Sequence, residues 1–579
     1  MTSKNSPCPC GSGKKFKHCC ERLQKADNAA AGPDHGSPVA NQPSAAEFEP
    51  LIKLFNARRY AELEERTKLL LAVYPSAPFA WQLLGGALQM QGKDAVAAFQ
   101  KVAGLTPGNP EAHFNLGVAL GGNGQPEQAA VSYRRALSLK PNYVGALNNL
   151  GGVLQDLHQF EEAAARYRQL LVIQPVAADV HNRLGLVLKS LGRHDEAVLC
   201  YRQMVALKPG SSEAHNNLGV ALNMTSHSDE AMQHFQRAIE ITPGFGEAHY
   251  NLGNALSQSG RWNQAEKAFR QALQSNLNIA VTYNNLGFAL RQQGRLDEAV
   301  TCFRKAIELD LNSAEAYGNL GGVLKIQGFF TEALACYRKQ AELTPENEGA
   351  RYHIAALSGE NAERAPEQYV SSLFDGYADK FDKSLVQDLK YDIPHKMISL
   401  LRRGSILPED GWAVLDLGCG TGLVGVEIAA ITQRMVGVDL SSGMLAKAHE
   451  RSLYERLECA DLLTVMRGEP TASYNLVIAA DVFVYIGKLE EIFFEAKRLL
   501  APQGVFAFSV ESSTPQDGQT TQETEAEYRL QITGRYSHST GYLTRLAATN
   551  GLQVRELEPT LIRMERGAPV NGLMALLTN

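Results

Sequence analysis

The sequence predicts a multidomain chain: a small N-terminal zinc-binding motif, an all-α solenoid, and an α/β domain built on an open parallel sheet. Three observations predict this fold class. Cysteines cluster within residues 8–20, a Leu-Gly pair recurs every 34 residues through the middle of the chain, and a glycine-rich turn at 418–422 opens a series of strands that each end near an acid. A chain of 579 residues is also too long for one core.

Composition limits the function classes. Apolar residues make up 44% and charged residues 20% of the chain, as in ordinary soluble globular proteins. The formal net charge of -6 gives no reason to expect nucleic-acid binding. No apolar run reaches membrane-spanning length, and the N-terminus lacks the apolar core of a secretory signal. Nine unevenly spread cysteines suit a reducing compartment, so we expect a cytoplasmic protein.

Two close cysteine pairs near the N-terminus have the spacing of a metal site. Cys8 and Cys10 are separated from Cys19 and Cys20 by a glycine turn and three lysines. Four thiolates can hold one tetrahedral zinc, and so short a segment would hardly fold without it; the alternative is a tail with incidental cysteines. The segment resembles the SEC-C motif, which implies these four zinc ligands, His18 as the substitute that some members use, and a docking site for a second protein.

Residues 1–25 are therefore assigned to this motif. Residues 26–46 are small, polar and rich in Pro and Gly, which predicts a flexible linker.

Residues 47–358 repeat with a period of 34. Prolines and an Ala-x-x-x-aromatic step keep the same interval as the glycines. This pattern resembles the tetratricopeptide repeat (TPR), which implies about nine helix pairs stacked as a solenoid with a long concave surface. Such a surface binds a partner and is not itself a catalyst. The repeat glycines are Gly117, Gly151, Gly185, Gly219, Gly253, Gly287 and Gly321.

A column of asparagines precedes the repeat leucines, interrupted only by Arg183. A side-chain amide both donates and accepts hydrogen bonds, so evenly spaced amides can hold an extended polypeptide without reading its sequence. The column resembles the asparagine ladder of O-GlcNAc transferase. The alternative is that these amides only bridge neighbouring repeats. The column consists of Asn115, Asn149, Asn217, Asn251, Asn285 and Asn319.

The α/β domain begins with an apolar strand, a turn containing Gly418, Gly420 and Gly422, and an apolar helix. Glycines allow close approach of a ligand to the backbone, and the helix start offers free N–H groups. Asp416 lies two residues before the turn, where a carboxylate can bind an ammonium group. The acids after the next three strands lie at the same sheet edge. Asp439 is placed for ribose hydroxyls, Asp461 for an adenine amino group and Asp481 for the reacting group.

This arrangement resembles the class I S-adenosylmethionine (SAM)-dependent methyltransferases, and with the repeats it resembles bacterial TPR-containing methyltransferases. The resemblance covers residues 371–579 and implies a Rossmann-like, seven-stranded domain closed by an antiparallel pair. It implies that Asp416, Gly418, Gly420, Gly422, Asp439 and Asp461 bind SAM. Residues 359–370 are predicted to be a linker. The Gly-x-Gly-x-x-Gly spacing from Gly420 leaves a dinucleotide enzyme as the alternative.

The acceptor side gives weaker signals. Phe374, Tyr377 and Phe381 belong to a segment that often covers the SAM pocket, although core packing explains them equally well. Asp481 is the candidate catalytic residue, to orient or deprotonate the acceptor; its alternative role is to shape the methionine pocket. Residues 512–527 are predicted to form a loop, and Tyr536 and His538 are candidates to face the acceptor, with structural roles as the alternative.

We therefore expect a SAM-dependent methyltransferase whose solenoid recruits a polypeptide. Two alternatives remain at this point: a small-molecule methyltransferase whose repeats serve as an assembly scaffold, and a SAM-binding adaptor without turnover. The domain partnership favours the first.

Overall fold

A computed structural model describes residues 42–275, 277, 279–376, 378, 381, 391–403, 411–512, 527–565 and 568–579. The chain divides into two compact units, Met1–Asn278 and Ile279–Asn579.

Over its described residues the first unit consists of helix pairs. Their helices are α1 (Ala45–Asn56), α2 (Tyr60–Val73), α3 (Pro78–Met90), α4 (Val96–Leu105), α5 (Pro110–Gly122), α6 (Pro126–Leu139), α7 (Val144–Asp156), α8 (Phe160–Ile173), α9 (Ala178–Ser190), α10 (His194–Leu207), α11 (Ser212–Met224), α12 (Ser228–Ile241), α13 (Gly246–Gln258) and α14 (Trp262–Gln274).

The repeat glycines let the two helices of a pair pack closely. A Cβ added at Gly151 would lie 2.6 Å from the ring of Tyr167, and one added at Gly219 would lie 2.6 Å from the ring of Phe235. Both rings are almost fully buried. The aromatic residue of the second helix therefore occupies the space that a side chain on the first helix would need. This contact explains why glycine and aromatic residues recur with one period.

The second unit begins with the last repeats, which pack in the same way: a Cβ at Gly287 would lie 2.8 Å from the ring of Phe303. With the first unit this gives nine helix pairs in the described part of the chain, as the repeat period predicts, followed by one further helix. The helices are α15 (Ala280–Gln292), α16 (Leu296–Leu309), α17 (Ala314–Gln327), α18 (Phe330–Leu343) and α19 (Glu348–Ser358).

The α/β domain follows within the same unit. Its described helices are α20 (Glu367–Asp375), α21 (Ile393–Arg403), α22 (Leu423–Ile428), α23 (Ser442–Glu450), α24 (Leu462–Gly468), α25 (Glu490–Leu499) and α26 (Thr540–Thr549). Its described strands are β1 (Trp412–Leu417), β2 (Thr432–Asp439), β3 (Arg456–Cys459), β4 (Tyr474–Ala479), β5 (Leu500–Ser512), β6 (Tyr528–Leu530), β7 (Tyr536–His538), β8 (Gln553–Glu565) and β9 (Ala568–Thr578).

All of these strands join one sheet. Strands β3, β2, β1, β4 and β5 are parallel neighbours in that order, and β9 pairs antiparallel with β5 and with β8. These seven strands are the predicted sheet with its antiparallel closing pair. The short strands β6 and β7, which the sequence analysis did not anticipate, extend it beside the end of β5.

The sheet is covered on both faces, as parallel sheets require. Successive residues of β1 point to different cores: Leu415 and Leu417 join one buried cluster, and Val414 joins the other. The carboxyl ends of the central strands are thereby left as the edge at which polar residues collect. The predicted loop at 512–527 lies for the most part outside the described residues.

The segment between the solenoid and the sheet is held by hydrogen bonds. We call residues 359–366 the exit segment. Asn361 donates to the Tyr528 carbonyl oxygen over 3.1 Å and accepts from the Leu530 N–H over 2.9 Å. The carbonyl oxygen of Glu363 accepts from Gly487 and Lys488 over 2.8 and 2.9 Å. These partners lie more than a hundred residues away in the sequence. The polar composition of residues 359–370, which predicts a linker, therefore does not indicate these hydrogen bonds.

None of the helices in the described ranges combines the length and apolar character that a bilayer crossing requires.

We expect Gly219→Ala to destabilise the repeats. The new Cβ would lie 2.6 Å from the ring of Phe235, and overpacking of this kind costs about 1–3 kcal/mol. Chemical denaturation followed by circular dichroism measures the change. Gly210→Ala is the matched control, because a Cβ there meets nothing within 4 Å. Equal midpoints for the two variants would contradict the packing argument.

Candidate functional site

A cavity of about 640 Å³ lies at the carboxyl ends of the central strands in the second unit. Its walls come from the turn after β1, the acids at the carboxyl ends of β2, β3 and β4, helix α20 and the solenoid helix α15. Open α/β sheets bind ligands at this edge because the strand order reverses there and opens a crevice. The last repeats and the sheet thus contribute to one cavity.

The glycine turn forms the floor of the cavity. Gly418, Gly420 and Gly422 all have positive φ, at 63°, 54° and 86°. A Cβ added at Gly418 would lie 2.5 Å from Val482, whereas one at Gly420 would meet no atom within 4 Å. Gly418 is therefore required by packing. Gly420 lines the cavity, and its missing side chain leaves room for a ligand close to the backbone.

Asp439 fixes the turn to the end of β2. Its Oδ2 accepts from the Gly420 N–H over 2.9 Å, and its Oδ1 accepts from the Ser441 N–H over 2.8 Å. Burial raises the pKa of Asp439, and these backbone donors oppose the rise. Each oxygen has one of these donors, so acceptor capacity remains toward the cavity that Asp439 lines. This geometry fits a pair of ribose hydroxyls, and together with Gly420 it fits the predicted SAM site.

Asp416 lies beneath the turn. Its side chain is 1% exposed, Oδ2 accepts from the Tyr454 hydroxyl over 2.7 Å, and Oδ1 has no partner in the described structure. Burial raises the pKa of Asp416 to about 7. It is not among the described residues that line the cavity. A buried oxygen without a donor has capacity for an ammonium group, and this contact stays a prediction.

Asp461 caps a helix and forms an ion pair. Its Oδ1 accepts from the N–H groups of Leu463 and Thr464 at the start of α24 over 3.1 and 3.3 Å. Its Oδ2 accepts from the Arg364 guanidinium over 3.0 Å. Both Asp461 and Arg364 line the cavity, so the acid predicted to bind adenine is held by the exit segment.

Asp481 belongs to a charged network. The Arg563 guanidinium donates to both of its oxygens, over 3.1 and 3.0 Å, and also pairs with Glu511. Arg535 pairs with Glu565 and lies beside the same cluster. Asp481 also has a positive φ of 59°, with its N–H donating to the Ser509 hydroxyl. Because Arg563 engages both oxygens, this carboxylate suits an orienting role better than that of a free base.

The aromatic segment contributes to the cavity wall. Phe374 makes edge contacts with Phe381 and Tyr485 at centroid distances of 6.0 and 5.6 Å, and all three line the cavity. Tyr377 lies outside the described residues. The end of α20 is tied to the site by Asp375, which accepts from the Ser441 hydroxyl over 2.6 Å.

Tyr536 and His538 are fully buried in β7 and do not face the cavity. His538 Nε2 lies 3.0 Å from the carbonyl oxygens of Ile486 and Gly487, and burial lowers its pKa to about 4. His538 thereby holds the loop after β4 in place. The structural alternative for these two residues is the one that the contacts support.

Five further residues at the site have no recognisable signal in the sequence: Tyr454, Arg364, Arg535, Arg563 and Glu511. Each reaches the site from a distant part of the chain, so no local spacing marks them. The zinc-motif residues Cys8, Cys10, Cys19 and Cys20 lie outside the described residues. Within the described ranges, no group of three or more His, Cys, Asp or Glu side chains is arranged to hold a metal.

Three members of the asparagine column form hydrogen bonds between repeats in the described structure. The side-chain nitrogens of Asn217, Asn251 and Asn319 each donate to an asparagine oxygen 35 residues earlier, over 3.0, 2.9 and 3.0 Å. These hydrogen bonds are the repeat-bridging role that was left open as an alternative. They use one of the two side-chain N–H groups and leave the rest of each amide available.

Three kinds of known sequence family match the chain. Residues 414–504 match the family described as a methyltransferase domain. Residues 5–22 match the SEC-C motif. Tetratricopeptide-repeat families match residues 110–143, 148–212, 188–244, 226–282, 287–328 and 314–347.

Curated relatives match only the C-terminal part. A malonyl-[acyl-carrier protein] O-methyltransferase of Yersinia pestis is 23% identical over 31% of this chain and 64% of its own length. Methyltransferase-like protein 27 of Homo sapiens is 32% identical over 18% and 43%. A ubiquinone biosynthesis O-methyltransferase of Thiobacillus denitrificans is 26% identical over 29% and 79%. The chain thus spans less than two thirds of the first two relatives.

Solved structures match the repeats. MamA is 26% identical over 30% of this chain and 94% of its own, with a TM-score of 0.27. YrrB, described as a TPR protein with an unusual peptide-binding site, is 22% identical over 32% and 96%, with a TM-score of 0.29.

These matches show which kinds of domain the chain carries. The chain carries a methyltransferase domain of the class I SAM-dependent type behind tetratricopeptide repeats and an N-terminal SEC-C motif. The relatives support SAM, rather than a dinucleotide, as the cofactor.

We expect Asp416→Asn to change how stability depends on pH. The folded pKa of about 7 exceeds the ordinary 3.8 because burial disfavours the ionised form. The free energy of unfolding therefore falls as pH rises from about 4 to about 7, and this loss is absent in the amide. The variant should gain stability relative to wild type between about pH 5 and about pH 8.

Tryptophan fluorescence can follow the unfolding of the domain that contains Asp416. Trp412 opens β1, so replacing Trp81 and Trp262 by Phe leaves one reporter in the α/β domain. Denaturation midpoints of the wild type and of Asp416→Asn are then compared at about pH 5 and at about pH 8. An advantage for the variant that is no larger at the higher pH would contradict the raised pKa.

Proposed function

We propose that the chain is a SAM-dependent methyltransferase that acts on a polypeptide recruited by its repeats. The observation that carries the proposal is the shared cavity. Gly420, Asp439 and Asp461 line one part of it, and Phe288, Arg291 and Gln292 of the solenoid helix α15 line another. An acceptor held by the repeats would thus meet the cofactor-binding edge of the sheet. Holding it there raises its effective concentration without any new contact at the reacting atom.

Each residue of the site would have a separate role in binding the cofactor or the acceptor. Asp439 would accept hydrogen bonds from the ribose hydroxyls, Asp461 from the adenine amino group, and Asp416 from the ammonium group through its unpartnered oxygen. The bound cofactor supplies a methyl group on a sulfonium. Displacement at such a centre depends chiefly on proximity, alignment and exclusion of water. Phe374 and Phe381 would exclude water, and Asp481 would orient the acceptor.

Transfer from methyl-labelled SAM into a fractionated bacterial lysate tests the proposal. We expect label in the macromolecular fraction.

We expect Asp439→Ala to lose roughly 2–4 kcal/mol of SAM affinity in calorimetry, because it removes a charged acceptor for two hydroxyls. Asp297→Ala changes an exposed acid of α16 and is the matched control for charge.

Each other outcome selects an alternative. Label confined to small molecules would indicate a small-molecule methyltransferase with the repeats as a scaffold. SAM binding without any transfer would indicate an adaptor. Failure of the wild-type chain to bind SAM would remove the proposal.

We further propose that Cys8, Cys10, Cys19 and Cys20 hold one zinc ion in the cytoplasm and that the resulting module docks a second protein. The match of residues 5–22 to the SEC-C motif supports this proposal. Four thiolates satisfy a closed structural site.

Metal analysis of the purified chain is expected to give one equivalent of zinc. The Cys19→Ser, Cys20→Ser double variant should contain none, since it removes half of the ligands. Cys200→Ser in α10 is the matched control and should retain the metal. A full equivalent of zinc in the double variant would place the site elsewhere.

A further inference from the structure

Asp461 has few acceptor positions left for a ligand in the cavity. A carboxylate offers about four of them. Two on Oδ1 are used by the N–H groups of Leu463 and Thr464, and one on Oδ2 is used by Arg364. One position on Oδ2 remains, on a side chain that is 17% exposed and lines the cavity. The direction of that position is set by the three contacts together.

Arg364 is itself held in place from several sides. It pairs with Glu367 at the start of α20 and forms an isolated β-bridge with Ile486. The next residue, Ala365, donates its N–H to the Tyr485 carbonyl oxygen over 2.8 Å. The guanidinium that meets Asp461 thus comes from a backbone that the loop after β4 fixes. Being planar and rigid, it transmits that position to the carboxylate.

We propose that Arg364 is a positioning residue of the cofactor site, and that it orients Asp461 to accept the exocyclic amino group of adenine. This inference rests on the proposed binding of SAM. It assigns to the exit segment, outside the α/β sheet, a part in cofactor recognition. The helix cap alone would leave Oδ2 without the guanidinium, free to be solvated or to take another donor.

If Arg364 instead blocked the adenine position, its removal would change SAM affinity in the opposite direction. If the guanidinium occupied the place of the adenine amino group, removing it would free Asp461 and tighten SAM binding. Two features favour positioning. Arg364 uses one acceptor position of Oδ2 and leaves the other, and its second nitrogen is engaged by Glu367.

Calorimetry on the full chain tests the proposal with two ligands. The first is SAM, and the second is the SAM analogue whose adenine amino group is replaced by a keto oxygen. In Arg364→Gln we expect SAM to bind about tenfold more weakly, the lower end of what one hydrogen bond to a charged group contributes. The preference for SAM over the analogue should fall by a similar factor, because a misplaced Asp461 no longer distinguishes amino from keto.

Two further variants separate positioning from a general loss of structure. Lys488→Gln breaks the neighbouring ion pair with Glu363, on the same segment, and should leave both affinities unchanged. In an Asp461→Asn background, Arg364→Gln should cause little additional loss, since Arg364 acts through that carboxylate. Arg364→Lys retains one charged donor and should recover part of the preference.

Three results would overturn the inference while leaving the proposed function intact. The first is unchanged SAM affinity in Arg364→Gln when Asp461→Asn binds SAM weakly. The others are equal losses of affinity for SAM and the keto analogue in Arg364→Gln, or tighter binding of SAM by that variant. Failure of the wild-type chain to bind SAM would overturn the proposed function and this inference together.

Discussion

The two hydrogen bonds that Asp439 accepts, from Gly420 over 2.9 Å and from Ser441 over 2.8 Å, hold together the elements on which the site depends. The first fixes the glycine turn to the end of β2. The second fixes the turn into α23, where the Ser441 side chain in turn binds Asp375 at the end of α20. The cavity floor, its acid and one of its walls therefore share a single anchoring point. A site held in this way loses little entropy when a ligand binds.

The acceptor side rests on a different kind of constraint. Arg563 is 3% exposed and is compensated by Asp481 and Glu511, while Glu565 lies within 3.7 Å. A buried guanidinium that loses a partner is costly, typically by about 3–5 kcal/mol. Substituting Asp481 would thus disturb the fold of the cavity as well as any contact with the acceptor. Loss of activity in such a variant would not by itself assign a catalytic role.

Local patterns predicted what local forces determine. The period of 34 fixes which residues of each helix pair meet, and the Gly219–Phe235 contact shows why the interval is strict. The glycine turn and the acids at the ends of β2, β3 and β4 could be predicted because each lies where a strand ends, and parallel strands end at one sheet edge. By contrast, the pairing of Arg364 with Asp461 depends on how residues 97 positions apart meet. No composition or spacing in a single sequence encodes that meeting, so the exit segment was interpreted as a linker.

The asparagine column shows the limit of reading a residue type by its chemistry. An amide suits both a polypeptide backbone and a neighbouring amide, and contacts such as the 3.0 Å one between Asn217 and Asn182 favour the second. The residue type is compatible with both roles, and the contacts between consecutive repeats show the bridging role for three members of the column.

The contacts of the exit segment also bear on how such a protein can change over evolutionary time. Repeat arrays lengthen and shorten by whole units because each unit touches only its neighbours. Here Tyr352 of α19 donates to the Gly534 carbonyl oxygen over 3.0 Å, and Asn361 holds the edge of β6. The last helix of the array is therefore bonded directly to the methyltransferase domain. Recombination that exchanges the array would preserve the cavity only if the breakpoint falls before Ala280, because the repeat helix α15 also lines the cavity.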